Sequence, residues 1–186
     1  MSQSAAISLG GNATSSAGEP RLTLAAALAK LFAAGVEPVA ASRFYRSPAV
    51  PAGSGPDFVN AAALVRTTLG PGALLAHLHA IEAMFGRVRE ARWGARTLDL
   101  DLLLYGDAVL PDPPTERRWR ELPEQLGPVE TPPTLILPHP RLAERAFVLV
   151  PLCEIAATLR HPATGRTVAE MREGLGDAAA HGVVPL

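Results

Sequence analysis

The stretch from Glu82 to Asp101 reads E-A-M-F-G-R-V-R-E-A-R-W-G-A-R-T-L-D-L-D and gathers Arg87, Arg89, Arg92 and Arg96 just ahead of the pair Asp99 and Asp101. On a strand, alternation sends Asp99 and Asp101 to one face and Leu98, Leu100 and Leu102 to the other. Two carboxylates at that spacing repel each other unless a cation sits between them. Hard oxygen ligands so arranged suit Mg²⁺, which takes one or two carboxylates together with water and phosphate oxygens. Alone, a D-x-D pair is more simply the exposed edge of an amphipathic strand. The arginines change that balance, because guanidiniums fit phosphate oxygens and a loop lets several converge. Metal ligands beside an arginine loop meet the needs of phosphoryl transfer, which are charge neutralisation and positioning. The plainer alternative is a solvated arginine face paired with Glu82 and Glu90.

Other phosphate devices are missing. No G-x-x-x-x-G-K-[ST] occurs, Gly10-Gly11-Asn12 is not G-x-G-x-x-G, and the protein-kinase motif set is absent. Two further segments offer chemistry. Phe58-Val59-Asn60 follows a loop and carries an aromatic ring and an amide, suited to stacking on and hydrogen-bonding a flat heterocycle. Pro138-His139-Pro140-Arg141, with Arg145 and Phe147, is a rigid turn carrying cations and an aromatic ring. His77 and His79 fall on different faces of a helix, which argues against zinc.

These residues need elements to hold them. Strands are expected at Ala5 to Leu9, Val36 to Tyr45, Phe58 to Thr68 and Thr97 to Tyr105, with helices at Pro20 to Ala34 and Pro71 to Phe85. Pro at a helix start and Gly after its end support both helices. Ser47 to Asp57 reads as a loop. Seven prolines between Asp107 and Pro133 predict a surface excursion with little regular structure. A short strand at Leu135 to Leu137, a helix near Arg145 to Leu152 and a last helix at Val168 to Glu173 follow. The order β-α-β-β-α-β implies an α+β sandwich, an antiparallel sheet with helices on one face.

The 186 residues fit a single domain, and 48% hydrophobic content supports a buried core. A formal charge of -1 argues against a duplex-binding protein. One cysteine, Cys153, excludes an internal disulfide framework. No apolar run approaches a membrane span, and Met1 to Leu9 has no basic stretch leading into a long apolar one. A cytoplasmic monomer acting on small molecules, with neither nucleic acid nor membrane as partner, is the expectation.

The motifs S-L-G-G-N, F-Y-R-S-P, P-D-F-V-N-A-A, G-R-V-R, R-W-G-A-R-T-L-D-L-D-L-L-L-Y-G and P-H-P-R-L-A-E-R-A-F-V-L-V-P-L together resemble the 6-hydroxymethyl-7,8-dihydropterin pyrophosphokinase family of folate biosynthesis. The resemblance covers nearly the whole chain in order. It implies a ferredoxin-like antiparallel sheet with helices packed on it, a single domain over 1–186, and a Pro-rich excursion at about 107–133. It also implies transfer of diphosphate from ATP to the pterin hydroxymethyl group, releasing AMP, with two Mg²⁺ ions. Position by position, Asp99 and Asp101 would bridge the metals, and Arg87 and Arg96 would be the catalytic arginines. Arg89 and Trp93 would belong to a loop closing over ATP. Leu75, His79, Glu82, Arg96, Leu102, His139 and Arg145 would lie at the nucleotide. Phe58 and Phe147 would sandwich the pterin, Asn60 and Asp99 would meet its polar groups, and the main chain at Ser47, Pro48 and Val50 would read the rest. Glu90, His79 and Ile136 depart from the family pattern. A nucleotidyltransferase or nuclease built on D-L-D, and a catalytically silent binding module for RNA or protein, are the rival readings. Neither explains Phe58, Asn60 and Phe147 together.

Overall fold

A computed structural model describes residues 2–32, 35–49, 53, 55–87, 96–122 and 132–186. The chain runs β1 (Gln3–Gly11), α1 (Pro20–Leu31), β2 (Val36–Ala41), β3 (Tyr45–Ser47), β4 (Phe58–Thr67), α2 (Pro71–Met84) and β5 (Asp99–Tyr105). It continues through α3 (Pro113–Glu121), a 3₁₀ turn (Leu142–Glu144), α4 (Ala146–Ala156), α5 (Val168–Gly174), α6 (Asp177–His181) and β6 (Val184–Pro185). All strand pairs are antiparallel, in the order β5-β1-β4-β3-β6, with β2 beside β3 on the same side of β4. The first strand is therefore interior, between β5 and β4.

Alternation along β1 builds two cores. Ala5, Ile7 and Leu9 face α1 and α2, where they meet Leu24, Leu74, Leu78, Ile81 and Leu100. Ala6 and Ala62 face the other way, against Leu149 and Leu152 of α4 and Met171 of α5. The expectation of helices on one face is thus corrected: both faces are covered. The cause is the apolar, all-round character of α4, A-F-V-L-V-P-L-C-E-I-A, which needs burial on more than one side.

Three further differences have local causes. The expected strand at 36–45 breaks after Ala41, because Ser42 turns its hydroxyl to accept the Ala62 N–H at 2.9 Å. Ser47, read as loop, closes β3 opposite Phe58. The Pro-rich excursion contains α3: Asp112 caps it by accepting from the Thr115 N–H at 2.9 Å, Pro113 and Pro114 occupy its first turn, and Glu116 pairs with Arg120 at 2.9 Å. Leu135 to Leu137 forms only a single bridge, Leu137 to Leu110. The C-terminal β6 adds to the edge of β3, and the Leu186 N–H donates to the Phe44 carbonyl at 2.9 Å.

His161 lies buried between α4 and α5, where its N–H donates to the Arg166 carbonyl at 2.8 Å and its Nδ1 has no hydrogen-bond partner among the described residues. Burial, reinforced by Arg120, lowers its pKa to about 4. The folded protein therefore holds it neutral, whereas the unfolded chain protonates it near its ordinary value of about 6.5. Its contribution to stability is full above about pH 6.5 and drains away as the pH falls toward 4. Urea unfolding at pH 7 and pH 4.5 should show the native chain losing about 2 kcal/mol more than His161→Gln. Identical pH dependence in the two proteins would contradict this.

Candidate active site

The second sheet face turns polar at one end. Register places Asp101 opposite Ser8, Asp99 opposite Gly10, Gly10 opposite Asn60, and Asn60 opposite Tyr45, so these residues share a face. Phe58 and Ser47, two residues from Asn60 and Tyr45 respectively, belong to the same face. The Asn60 amide donates to the Ser47 hydroxyl at 2.9 Å. Gly10 leaves room beside Asn60, since a Cβ there would sit 3.3 Å from the Asn60 Oδ1.

Asp99 is the centre of the charge arrangement. Arg87 pairs with it at 2.6 Å, and Arg96 closes on its other carboxylate oxygen. The Asp99 side chain is 19% exposed, so these pairs are little screened. Burial pushes its pKa upward, but Arg96 and then Arg87 outweigh that, and the carboxyl is held below its ordinary value. Behind the pair stands Glu82, 2% exposed on α2. One of its oxygens accepts the Leu100 N–H at 2.8 Å and also takes a bond from Arg87. Glu82 thus fixes both the arginine and the outer edge of β5.

Asp101 has its own cation. Arg145, the residue just before α4, approaches it at 3.4 Å and lies 5.8 Å over the Phe147 ring. His139 is set by two main-chain bonds: its N–H donates to the Leu103 carbonyl at 2.9 Å, and its Nδ1 accepts the Arg141 N–H at 3.1 Å. Burial lowers the His139 pKa, Asp101 opposes, Arg145 adds to the lowering and Asp99 opposes, with a net fall. The ring is neutral, its proton on Nε2. On α2, Leu75, His79 and Glu82 share a stripe, and His79, Glu82, Ala83 and Arg87 line a cleft of about 290 Å³.

The sequence-predicted residues therefore separate into groups. Arg87, Arg96, Asp99 and Glu82 meet, as do Asp101, Arg145, Phe147 and His139, while Ser47, Phe58 and Asn60 share the adjoining sheet face. The Leu102 side chain is buried in the α1 and α2 core, so a contact with the nucleotide there would come through its main chain. Pro48 is exposed at the end of β3, and Ile136 is buried. Val50, Arg89 and Trp93 lie outside the described residues, as does Glu90. Sequence reasoning assigned nothing to Asn12, which holds the main chain of Arg96; the run L-G-G-N at a strand end was the available signal.

The model of the family described as 7,8-dihydro-6-hydroxymethylpterin-pyrophosphokinase (HPPK) matches residues 6–157. The chain belongs to the HPPK family. Among curated relatives, the 2-amino-4-hydroxy-6-hydroxymethyldihydropteridine pyrophosphokinase of Synechocystis is 38% identical over 182 residues, 97% of this chain and 80% of the relative. The enzyme of the same name from Pseudomonas aeruginosa is 41% identical over 133 residues, 72% of this chain and 69% of the relative. Among solved structures, Plasmodium falciparum HPPK-DHPS in complex with pteroate aligns at a TM-score of 0.66 and 13% identity, a likeness of fold. That alignment takes in 98% of this chain but 46% of the Plasmodium one, so the HPPK-family chain spans less than half of that protein.

The donor set fits Mg²⁺. Among the described residues no three His, Cys, Asp or Glu side chains gather as a closed metal cage. Asp99 and Asp101 supply two hard carboxylates on one face, which suits an ion completing its shell with water and phosphate oxygens. Among the described residues, three carboxylates (Glu82, Asp99, Asp101) face three guanidiniums (Arg87, Arg96, Arg145).

Glu82 is the most exposed of these pairings to a stability test. Glu82→Ala strands the Leu100 N–H and leaves Arg87 only its pairing with Asp99, and should cost about 2–4 kcal/mol in urea unfolding. Glu82→Gln, which keeps an acceptor, should cost less than half as much. A loss within about 0.5 kcal/mol for the alanine variant, the range of an ordinary surface change, would contradict this role.

Proposed function

We propose that this chain is a 2-amino-4-hydroxy-6-hydroxymethyldihydropteridine diphosphokinase. It transfers diphosphate from ATP to the hydroxymethyl group of 6-hydroxymethyl-7,8-dihydropterin, giving AMP and the pterin diphosphate in folate biosynthesis. Besides its family membership, one observation carries the reading: the Asp99 carboxylate, between Arg87 and Arg96, shares a sheet face with Phe58 and Asn60. A phosphate site and a heterocycle site thus adjoin.

Bond changes balance simply. The pterin hydroxymethyl oxygen forms a bond to the β-phosphorus, the bond from that phosphorus to the α,β-bridging oxygen breaks, and AMP leaves with the electron pair. The hydroxyl proton passes to solvent. Asp99 and Asp101 would hold two Mg²⁺ ions, which when bound neutralise phosphate oxygens and spread the developing charge. Arg87 and Arg96 place guanidiniums on the transferred group and the departing AMP side. His139 and Arg145 face the phosphates or ribose, and Leu75, His79 and Glu82 line the nucleotide side. Arg89 and Trp93 are further residues proposed to bind ATP. Phe58 and Phe147 flank the pterin, while Asn60 and the chain from Ser47 through Pro48 to Val50 bind its edge. A monomer in the cytoplasm is the proposed state.

Incubation with ATP, Mg²⁺ and the pterin alcohol should yield one AMP per pterin diphosphate. Asp101→Ala should lower turnover by about a thousandfold or more, the scale of losing several kcal/mol of charge stabilisation, without unfolding the chain. ADP as the nucleotide product, or near-normal turnover in the variant, would contradict the assignment.

A further inference from the structure

Asn12 stands just past the end of β1 and is 8% exposed. Its side-chain oxygen accepts the Arg96 N–H at 2.8 Å, and its side-chain nitrogen donates to the Pro56 carbonyl at 3.1 Å. The N–H groups of Asn12 and Ala13 both donate to the Arg96 carbonyl, at 2.9 and 3.1 Å. An N–H on one side and a carbonyl on the other leave a single orientation for the amide. Gly11 makes the approach feasible, since a Cβ there would come 2.7 Å from the Thr97 carbonyl oxygen. One buried side chain therefore ties two distant segments. Arg96 carries the guanidinium on Asp99, and Pro56 lies two residues before Phe58, which opens the strand bearing Asn60.

We propose that Asn12 is a positioning residue that couples the two halves of the site. The coupling rests on the pyrophosphokinase reading above: phosphates engage Arg96, the pterin engages Phe58 and Asn60, and both segments hang from the same amide. A ligand that orders either segment strengthens Asn12's hold on the other, so each ligand raises the affinity for its partner, reciprocally. Asparagine is the residue required, because the two bonds need an acceptor and a donor on one short side chain. Asn12→Asp keeps the acceptor for the Arg96 N–H but turns a carboxylate oxygen toward the Pro56 carbonyl. It cuts the tie on the pterin side alone. A plain turn residue would instead affect stability and leave the mutual enhancement intact.

Calorimetry of the pterin alcohol binding to the full chain, with and without saturating Mg²⁺ and a non-hydrolysable ATP analogue, reads the coupling directly. In the native chain the nucleotide should raise pterin affinity by about tenfold or more; in Asn12→Asp that factor should fall to about twofold or less, with nucleotide affinity within about threefold of native. If the aspartate variant does not fold, Asn12→Ala, which places no repelling oxygen there, should show the same loss of enhancement. Native enhancement retained in a folded variant, or its absence from a native chain that binds both ligands, would overturn the coupling alone. A native chain that binds no pterin would overturn the proposed function as well.

Discussion

Two guanidiniums of like charge converge on one carboxylate, Asp99, and the neighbouring elements are arranged to make that convergence tolerable. Arg87 is held from behind by Glu82, Arg96 by main-chain bonds to Asn12 and Ala13, and Asp99 itself by β5 in register with β1. A half-buried carboxylate with neither partner would raise its pKa and lose its charge. With both partners it stays ionised, and the arginines stay in place without phosphate. Among the described residues the charges balance, so a polyanion bound here would exchange one set of ion pairs for another.

The sheet divides stability from chemistry. Its first face is sealed by α1 and α2 over aliphatic side chains from β1, β4 and β5. Its second face is sealed by α4 and α5 over only part of its length, where Ala6, Ala62 and Leu103 lie. Beyond the start of α4 the same strands present Ser8, Gly10, Asn60, Asp99 and Asp101. Arg145 and Phe147, at the entry to α4, reach the boundary between the two zones. The side chains of the proposed site therefore stand on strands whose opposite faces are packed, which limits their drift.

The face of Asp99 and Asp101 was legible from alternation alone. Local signals also marked α2, whose Pro71 start and Gly86 stop flank an apolar stripe. Less was legible where contacts are long-range. Asn12 is 84 residues from Arg96 and 44 from Pro56; the run L-G-G-N marks a turn at a strand end but names neither partner. Glu82 reads as a polar residue on an amphipathic helix until the fold brings the Leu100 N–H against it. In α3 the signals were present (Asp112 as cap, Pro113 at the first turn, Glu116 before Arg120) but were masked by counting prolines as breakers. The second helical layer was missed because a strand pattern with small residues such as Ala6 and Ala62 gives weak notice of what covers it.

What most directly tests the central role of Asp99 is a crystal structure of the full chain with Mg²⁺, a non-hydrolysable ATP analogue and the pterin alcohol. The expected result has the Arg87 and Arg96 guanidiniums on phosphate oxygens, the Asp99 and Asp101 carboxylates turned to the metal, and the pterin on the face of Phe58 and Asn60. Arg87 and Arg96 still closed on Asp99, with the phosphates bound elsewhere, would contradict it.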